Sequence, residues 1–271
     1  MKIQKELVDK TREIYSFFKD ERNILAYGYH GSVSKGYCDR FSDLDILIIT
    51  KGKLNFPSIE GKLKNLDGFE RFGTEEKPNY HFNFEGTTAT IGFGSVDEIK
   101  KDIDSANNQK DIGALKRLRI LRDYKVLFGD KGRVANLIEQ IDFRLPEDYV
   151  KKEFEGLYQW VVNNVKPEGR LDIEIKRKNW ISFEYRFART YGWTMQLIYA
   201  INNTLFLDAR WASKEIANFK LVPKDCIKRL DKIAKLGNGE KSSKMKLKLM
   251  REFVIDFDKI ARKRFHWLMK V

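Results

Sequence analysis

The stretch YGYHGSVSKGYCDRFSDLDILIIT, Tyr27–Thr50, decides the fold of the first half of this 271-residue chain. It begins with a run typical of a strand and turns at Gly31 into a short helix. It ends in an apolar run, DLDILIIT, that is rich in the β-branched residues that favour strands. Because glycine accepts strained backbone conformations, Gly31 permits a tight turn at the strand exit. The stretch therefore predicts two neighbouring strands joined by a turn and a short helix.

Two carboxylates begin the apolar run. Asp43 and Asp45 are two positions apart, and side chains alternate along a strand, so both carboxylates lie on one face with Cα atoms ~7 Å apart. Leu44 and Ile46 then point into the core. Such carboxylates are costly among apolar residues unless a cation or solvent compensates them. Their hard oxygens suit Mg²⁺, and the pair can hold one ion or two ions ~3.5–4 Å apart.

The turn before the acid pair predicts an anion pocket. The helix after Gly31 offers free N–H groups and the positive end of its dipole to a phosphate. The Ser32 hydroxyl can donate to the same phosphate, and Lys35 adds positive charge one turn later. Ser42 can orient the carboxylate of Asp43 or serve only as a turn residue. A nucleoside triphosphate with Mg²⁺ is the ligand that fits a phosphate pocket beside a metal mount.

These residues resemble a known motif. Gly-Ser, about ten residues, then Asp-x-Asp in an apolar strand is similar to the motif of the nucleotidyltransferase superfamily related to DNA polymerase β. The layout of the whole chain looks like that of the antibiotic nucleotidyltransferases, which include the aminoglycoside, kanamycin and lincosamide enzymes. The segment YKVLFGDKG, followed by a helix, also resembles a segment of these enzymes.

The resemblance implies a Mg²⁺-dependent enzyme that transfers a nucleoside monophosphate from a nucleoside triphosphate, with ATP the favoured donor, to a hydroxyl group of a small molecule, and that releases pyrophosphate. An antibiotic is the acceptor it suggests. Asp43 and Asp45 would hold the metal, while Gly31, Ser32, Lys35 and Ser42 would form the nucleotide site. Some relatives build their sites at dimer interfaces, so a homodimer is allowed.

One position departs from the motif. The family usually carries a third carboxylate on a later strand, where it completes the metal site or acts as general base. In this chain the strand is TTATIGFGS, and the expected position is near Thr90, which is a poor Mg²⁺ ligand and no base. Glu85 is the nearest acid and the candidate for the third carboxylate, although it falls in a predicted hairpin turn.

The pattern along the chain predicts an α+β fold in two domains. Residues 1–146 read as a small mixed sheet with flanking helices, the nucleotidyltransferase domain of the resemblance. Residues 147–271 read as an all-α helical bundle that covers the substrate or nucleotide. Within the first domain we expect a helix over residues 3–18, a helix from Pro57 to Leu66 and a hairpin that turns at Glu85-Gly86.

The second half is predicted to contain long helices, with loops at Pro167-Glu168-Gly169 and Gly237-Asn238-Gly239. The run IKRKNWISFEYRFARTYGWTMQLIYAINN reads as one of them, with Trp180, Phe183, Phe187 and Trp193 in its core. The run ARWASKEIANF reads as another. His81, in the first half, reads as an ordinary histidine, whereas His30 lies beside the motif and is either a ligand contact or an ordinary histidine.

Charge divides the chain. Residues 1–150 contain 25 Lys+Arg and 25 Asp+Glu, whereas residues 151–271 contain 27 and 14 and so carry the whole net charge of +13. A basic half suggests a polyanionic ligand, although a solvated lysine-rich helical surface explains most of these lysines. The two cysteines support neither a disulfide framework nor a zinc site. With no apolar leader and no apolar run of membrane-spanning length, we expect a cytoplasmic protein without a membrane partner.

Two other functions stay open. The first is nucleotide addition to an RNA end or a protein side chain, which the basic half favours although no RNA-binding module is recognisable. The second is a nucleotide-binding or regulatory protein, such as a toxin–antitoxin partner, that has kept the fold and lost turnover, which Thr90 favours. The sequence does not identify the acceptor.

Overall fold

A computed structural model describes residues 2–207 and 209–266. The chain divides into two compact units, Met1–Phe143 and Arg144–Val271. The first is α+β, and the second contains helices and no strand among its described residues. This is the predicted fold class. In the described ranges no helix is both long and apolar enough to cross a membrane.

A six-stranded sheet forms the centre of the first unit. Its strand order is β3-β4-β5-β2-β1-β6. The β2–β5 pair is parallel and the other pairs are antiparallel. The strands are β1 Ile24–Tyr29, β2 Leu44–Thr50, β3 Glu70–Gly73, β4 Pro78–Phe84, β5 Thr87–Ser95 and β6 Lys125–Gly129.

Helices flank this sheet. A 3₁₀ turn, Tyr15–Phe17, follows the first of them, so the helix predicted over residues 3–18 ends earlier than expected. The helix predicted to reach Leu66 also ends early. The helices are α1 Lys2–Ile14, α2 Gly31–Ser34, α3 Phe56–Leu63, α4 Val96–Asn108, α5 Ile112–Arg122 and α6 Lys131–Glu139.

One face of the sheet packs on the core of the first unit. Leu44, Ile46 and Ile48 of β2 are fully buried there, in one cluster with apolar residues of β4, β5, α1 and α3. Alternation then turns Asp45 to the other face, as predicted. The opposite face carries polar side chains at the start of β2 and on β5 and β4, and it also buries Leu47 and Ile49 of β2.

The second unit is built from helices over its described residues. The helices are α7 Glu147–Val165, α8 Arg170–Lys176, α9 Trp180–Ile201, α10 Ala212–Ile216, α11 Cys226–Ala234 and α12 Glu240–Arg264. Helices α7, α8 and α12 all pack against α9. Their shared core is aromatic, and it includes Phe154, Phe183 and Phe257.

Some predictions for the second half were wrong. The run predicted as one helix breaks between α8 and α9, because Lys178 has φ +56° and the Asn179 side chain caps α9 by accepting from the Ser182 N–H. Only five residues of ARWASKEIANF are helical. Phe183 and Phe187 are buried, as predicted, but Trp180 and Trp193 are only half-buried.

Candidate active site

The carboxylate pair stands at the start of β2. Asp43 comes immediately before the strand and Asp45 is its second residue, and both are half-buried. Leu44 between them is fully buried. Because β2 is the partner of both β1 and β5, it runs through the interior of the sheet. The carboxylate pair therefore lies on an interior strand that is hydrogen-bonded to a neighbouring strand on each side.

Gly31 packs directly against the Asp45 carboxylate. Its φ is +69°, and a Cβ at this position would collide with Oδ2 of Asp45. The backbone of the same turn is tied to β2, since the His30 N–H donates to the carbonyl oxygen of Asp45 over 3.0 Å. A glycine is therefore required here for two reasons, the left-handed backbone and the missing space. The turn and the acid pair, joined in the sequence interpretation by spacing alone, are in contact.

Ser32 and Ser42 have different positions. Ser32 is buried in α2, and its carbonyl oxygen accepts from the Tyr37 N–H. Ser42 bonds to Asp39, which it contacts through both its hydroxyl and its backbone N–H. Ser42 therefore shapes the loop before β2. Its hydrogen bonds to Asp39 do not support the prediction that it orients Asp43.

Lys35 forms an ion pair with Asp123, with 3.3 Å between Nζ and Oδ2. Asp123 follows α5 in the chain, and the sequence interpretation did not associate it with this site. Any phosphate that Lys35 binds must compete with this carboxylate. Lys35 is thus positioned at the end of α2 by an acid that sequence spacing could not reveal.

His30, the residue before α2, is held in its neutral form. Burial lowers its pKa to about 4, although the carboxylates of Asp123 and Asp43 act in the opposite direction, and Lys35 adds to the lowering. A neutral imidazole therefore sits among two acids and one lysine. His30 therefore adds no positive charge beside the acid pair near neutral pH.

Thr90 occupies the position expected for the third carboxylate. In the parallel β2–β5 pair it lies directly beside Asp45. Glu85 lies at the tip of the β4–β5 hairpin, where it and Gly86 have positive φ, as a tight two-residue loop requires. The Glu85 carbonyl oxygen accepts from Lys10. The structure confirms the hairpin and does not bring Glu85 to the acid pair.

His81 lies in the same row of side chains as Asp45, which the sequence interpretation did not foresee. It lies opposite Thr90 on β4, and 3.1 Å separates its Nδ1 from the Thr90 Oγ1. The interpretation of His81 as an ordinary histidine rested on its lack of metal-ligand spacing. Only the strand register shows that His81, Thr90 and Asp45 form a row across three strands. The hydrophobic alternation of the hairpin could have suggested this register.

Phe41 was missed as well. It lies in the loop before β2 and is 79% exposed, with the guanidinium of Arg40 stacked over its ring at 4.6 Å. An exposed aromatic two residues before Asp43 offers a flat apolar surface beside the site. The signal in the sequence is a large apolar residue in an otherwise polar loop, CDRFSD.

The carboxylates of Asp43 and Asp45 fit a magnesium ion whose coordination shell is completed by substrate oxygens. Among the residues that the structure describes, no three His, Cys, Asp or Glu side chains come together as a metal site. Magnesium does not require such a cage, because it keeps several waters and is usually held by one or two carboxylates plus phosphate oxygens. Asp43 and Asp45 could supply those carboxylates. The fit is to a metal that arrives with a phosphorylated ligand.

A separate cavity of about 560 Å³ lies at the other end of β2, where Thr50, Ser95 and the start of α4 meet. Its lining has mixed charge, and one of its lysines, Lys77, pairs with Glu98. Because it lies at the opposite end of β2, the cavity is separate from the site at Asp43 and Asp45.

Comparisons with known proteins give similarity of fold alone. No protein-family model and no curated protein matches the chain. One similar solved structure is a nucleotidyltransferase-like protein from Exiguobacterium sibiricum 255-15, with 12% identity over 97% of this chain and 79% of that one and a TM-score of 0.40. Another is the structure of spectinomycin adenyltransferase AAD(9) from Enterococcus faecialis with ATP and spectinomycin. The two chains are 12% identical, the match covers 96% of this chain and 98% of that one, and the TM-score is 0.37. Both matches are distant, so any function assigned to this chain must be inferred from its own residues.

Proposed function

We propose that the chain is a Mg²⁺-dependent nucleotidyltransferase that moves a nucleoside monophosphate from a nucleoside triphosphate to a hydroxyl group of a small molecule and releases pyrophosphate. The observation that carries this proposal is the contact between Gly31 and the carboxylate of Asp45, at the start of β2. It puts the turn at the start of α2 against one of a pair of hard oxygen ligands. That combination suits a triphosphate chain bound with its metal.

The residues have separate roles in this proposal. Asp43 and Asp45 hold the metal, which when bound supplies Lewis-acid stabilisation of the charge that develops on the phosphate oxygens. Gly31 and Ser32 contact the phosphates, and Lys35 adds positive charge beside them. Exposed Phe41 is placed for stacking on the base. We assign the reaction to the first unit, Met1–Phe143.

Pyrophosphate release tests the proposal. The wild-type protein is incubated with Mg²⁺, with ATP first and then the other nucleoside triphosphates, and with a panel of hydroxyl-bearing small molecules that includes aminoglycosides and lincosamides. Asp43→Asn and Asp45→Asn should each abolish release while leaving the thermal unfolding midpoint nearly unchanged. Asp97→Asn, an exposed acid in the first turn of α4, is the matched control and should keep full activity. Undiminished release from both acid-pair variants would refute the proposal.

A row of stacked arginine and aromatic side chains on the second unit favours a second candidate function, nucleotide addition to RNA. Arg170 stacks over Trp160, Trp160 contacts Trp193, and Arg189 lies over both Trp193 and Tyr185, at 4.7 and 5.6 Å. Trp160 is 47% and Tyr185 63% exposed. Alternating guanidinium and aromatic planes on a basic unit are the surfaces on which single-stranded bases stack.

Binding of a labelled single-stranded RNA oligonucleotide, measured by anisotropy at several salt concentrations, tests this second candidate. If it holds, Trp160→Ala and Tyr185→Ala should each weaken binding by roughly 5- to 100-fold, since base stacking is worth ~1–3 kcal/mol. Affinity should also fall steeply with salt. Equal, weak binding by the wild type and both variants would eliminate it and leave the small-molecule acceptor.

A further inference from the structure

The proposed reaction requires a group that removes a proton from the acceptor hydroxyl. Asp43 and Asp45 are assigned to the metal, which leaves them poor bases. The polar face of the sheet carries a row of side chains at their level. Asp45 lies beside Thr90, Thr90 lies opposite His81, and His81 lies opposite Glu70 on the edge strand β3. Adjacent strands are ~4.8 Å apart, so His81 lies about two strand spacings from Asp45.

Thr90 and His81 form a hydroxyl–imidazole pair within this row. The Oγ1 of Thr90 and the Nδ1 of His81 are 3.1 Å apart, and both residues are half-buried. When Nδ1 of His81 is unprotonated, it accepts a hydrogen bond from the Thr90 hydroxyl. The lone pairs of the Thr90 Oγ1 can then accept a hydrogen bond from the acceptor hydroxyl. An acceptor hydroxyl bound at Thr90 would sit one strand from the metal ligands. It would thus be close to the phosphorus that is attacked.

We propose that His81 is the general base of this reaction and that it acts through the hydroxyl of Thr90, an inference that rests on the proposed function. The acceptor oxygen bonds to the α-phosphorus as its proton passes to Thr90 Oγ1 and the Thr90 proton passes to His81 Nδ1. The bond from the α-phosphorus to the bridging oxygen breaks, and pyrophosphate leaves with that electron pair. His81 then releases its proton to solvent.

The surroundings favour His81 over the other candidates. Glu70 is the register partner of His81 on β3, while the neighbours of His81 on the same face of β4, Asn79 and Asn83, are neutral. Glu85 lies at the hairpin tip, away from this row. His30 precedes the phosphate turn on the far side of Asp45. His81 is therefore the base that the strand register places in the same row as Asp45, with Thr90 between them.

This assignment also narrows the acceptor. A carboxylate or phosphate acceptor is already ionised near neutral pH and needs no base. A hydroxyl group of ordinary acidity does, and Thr90 can bind it as a hydrogen-bond acceptor. The substrate class is therefore a small-molecule alcohol, such as a sugar or cyclitol.

Steady-state kinetics with the best acceptor from the screen test this inference. His81→Asn and Thr90→Val should each lower kcat by about 100-fold or more, the usual contribution of a general base, while the KM for the nucleotide changes less than ~3-fold. Thr88→Val is the matched control and should retain wild-type kcat, because Thr88 lies two positions along the same face and bonds to Asn83 instead. Urea unfolding of each variant confirms that it is folded.

A rescue variant separates a base from a structural role. Thr90→Asp puts a carboxylate beside Asp45, so combining it with His81→Asn should recover at least ~10-fold of the lost kcat, as expected if a base is restored. Wild-type kcat in folded His81→Asn, or no recovery in the double variant, would overturn the role of His81. If the wild type itself releases no pyrophosphate with any acceptor, the proposed function has failed and this inference fails with it.

Discussion

Replacing Gly31 by alanine should disable nucleotide binding while leaving the protein folded. Gly31 begins α2 and Gly36 follows it, and the two glycines have nearly equal φ values, +69° and +70°. A Cβ at Gly31 would collide with the Asp45 carboxylate, whereas one at Gly36 meets nothing closer than Gln4, whose Nε2 is 3.8 Å away. The two glycines are therefore a matched pair, alike in backbone strain and different in what a methyl group would displace.

The magnitude follows from this difference. A left-handed backbone costs an alanine roughly 1–2 kcal/mol, so Gly31→Ala and Gly36→Ala should both lose about that much free energy of unfolding. Only Gly31→Ala also forces the Asp45 carboxylate to move. A displaced metal ligand is expected to weaken Mg²⁺-dependent nucleotide binding by roughly 10- to 100-fold, the loss typical of changes in the shell around a metal ligand.

Two assays separate the contributions. Urea unfolding gives the stability of each variant, and isothermal titration with a non-hydrolysable ATP analogue gives its affinity in the presence of Mg²⁺. We expect similar stability losses and unequal affinities, with Gly36→Ala close to the wild type. If both variants bind the analogue with equal affinity, the contact between Gly31 and Asp45 does not shape the nucleotide site, and the reasoning is wrong.

Three further predictions concern charge, packing and capping. The pKa of His30 is about 4 in the folded protein, below its ordinary value of 6.5. Between these pH values the unfolded state binds the extra proton, so the metal-free protein loses stability as the pH falls. Denaturant titrations near pH 4 should show a loss of about 2–3 kcal/mol relative to the His30→Asn variant. Ile48→Ala, at a fully buried position of β2, should cost ~2–5 kcal/mol of unfolding free energy. Ser95→Ala removes a capping box at the start of α4 and should cost ~1 kcal/mol by the same measurement.

Much of the first unit could be predicted from the sequence because its signals are local. The apolar alternation of β4 and β5 and the glycine at their turn fix the hairpin, and Leu44 and Ile46 fix the inward face of β2. The edge strand β3, Glu70–Gly73, was not predicted. All four of its residues are exposed, so it carries no hydrophobic pattern. Its pairing with β4 comes from tertiary contacts that a local pattern does not record.

The site was predictable only in part, for the same reason. The spacing of Asp43 and Asp45 is local, and so is the glycine turn before them. The pairing of Lys35 with Asp123 joins residues far apart in sequence, and the row from Asp45 through Thr90 to His81 needs the register of three strands. Spacing alone gave the expected position of the third acid, but it could not show that His81 lies opposite that position on the next strand.

Titration of the wild-type protein with a non-hydrolysable ATP analogue, with Mg²⁺ and again with excess chelator, tests the central claim most directly. We predict binding that depends on Mg²⁺ and that disappears in Asp45→Asn, while Asp97→Asn binds like the wild type. Binding of equal strength without the metal, or unchanged binding in Asp45→Asn, would contradict the assignment of this strand start as a metal–nucleotide site.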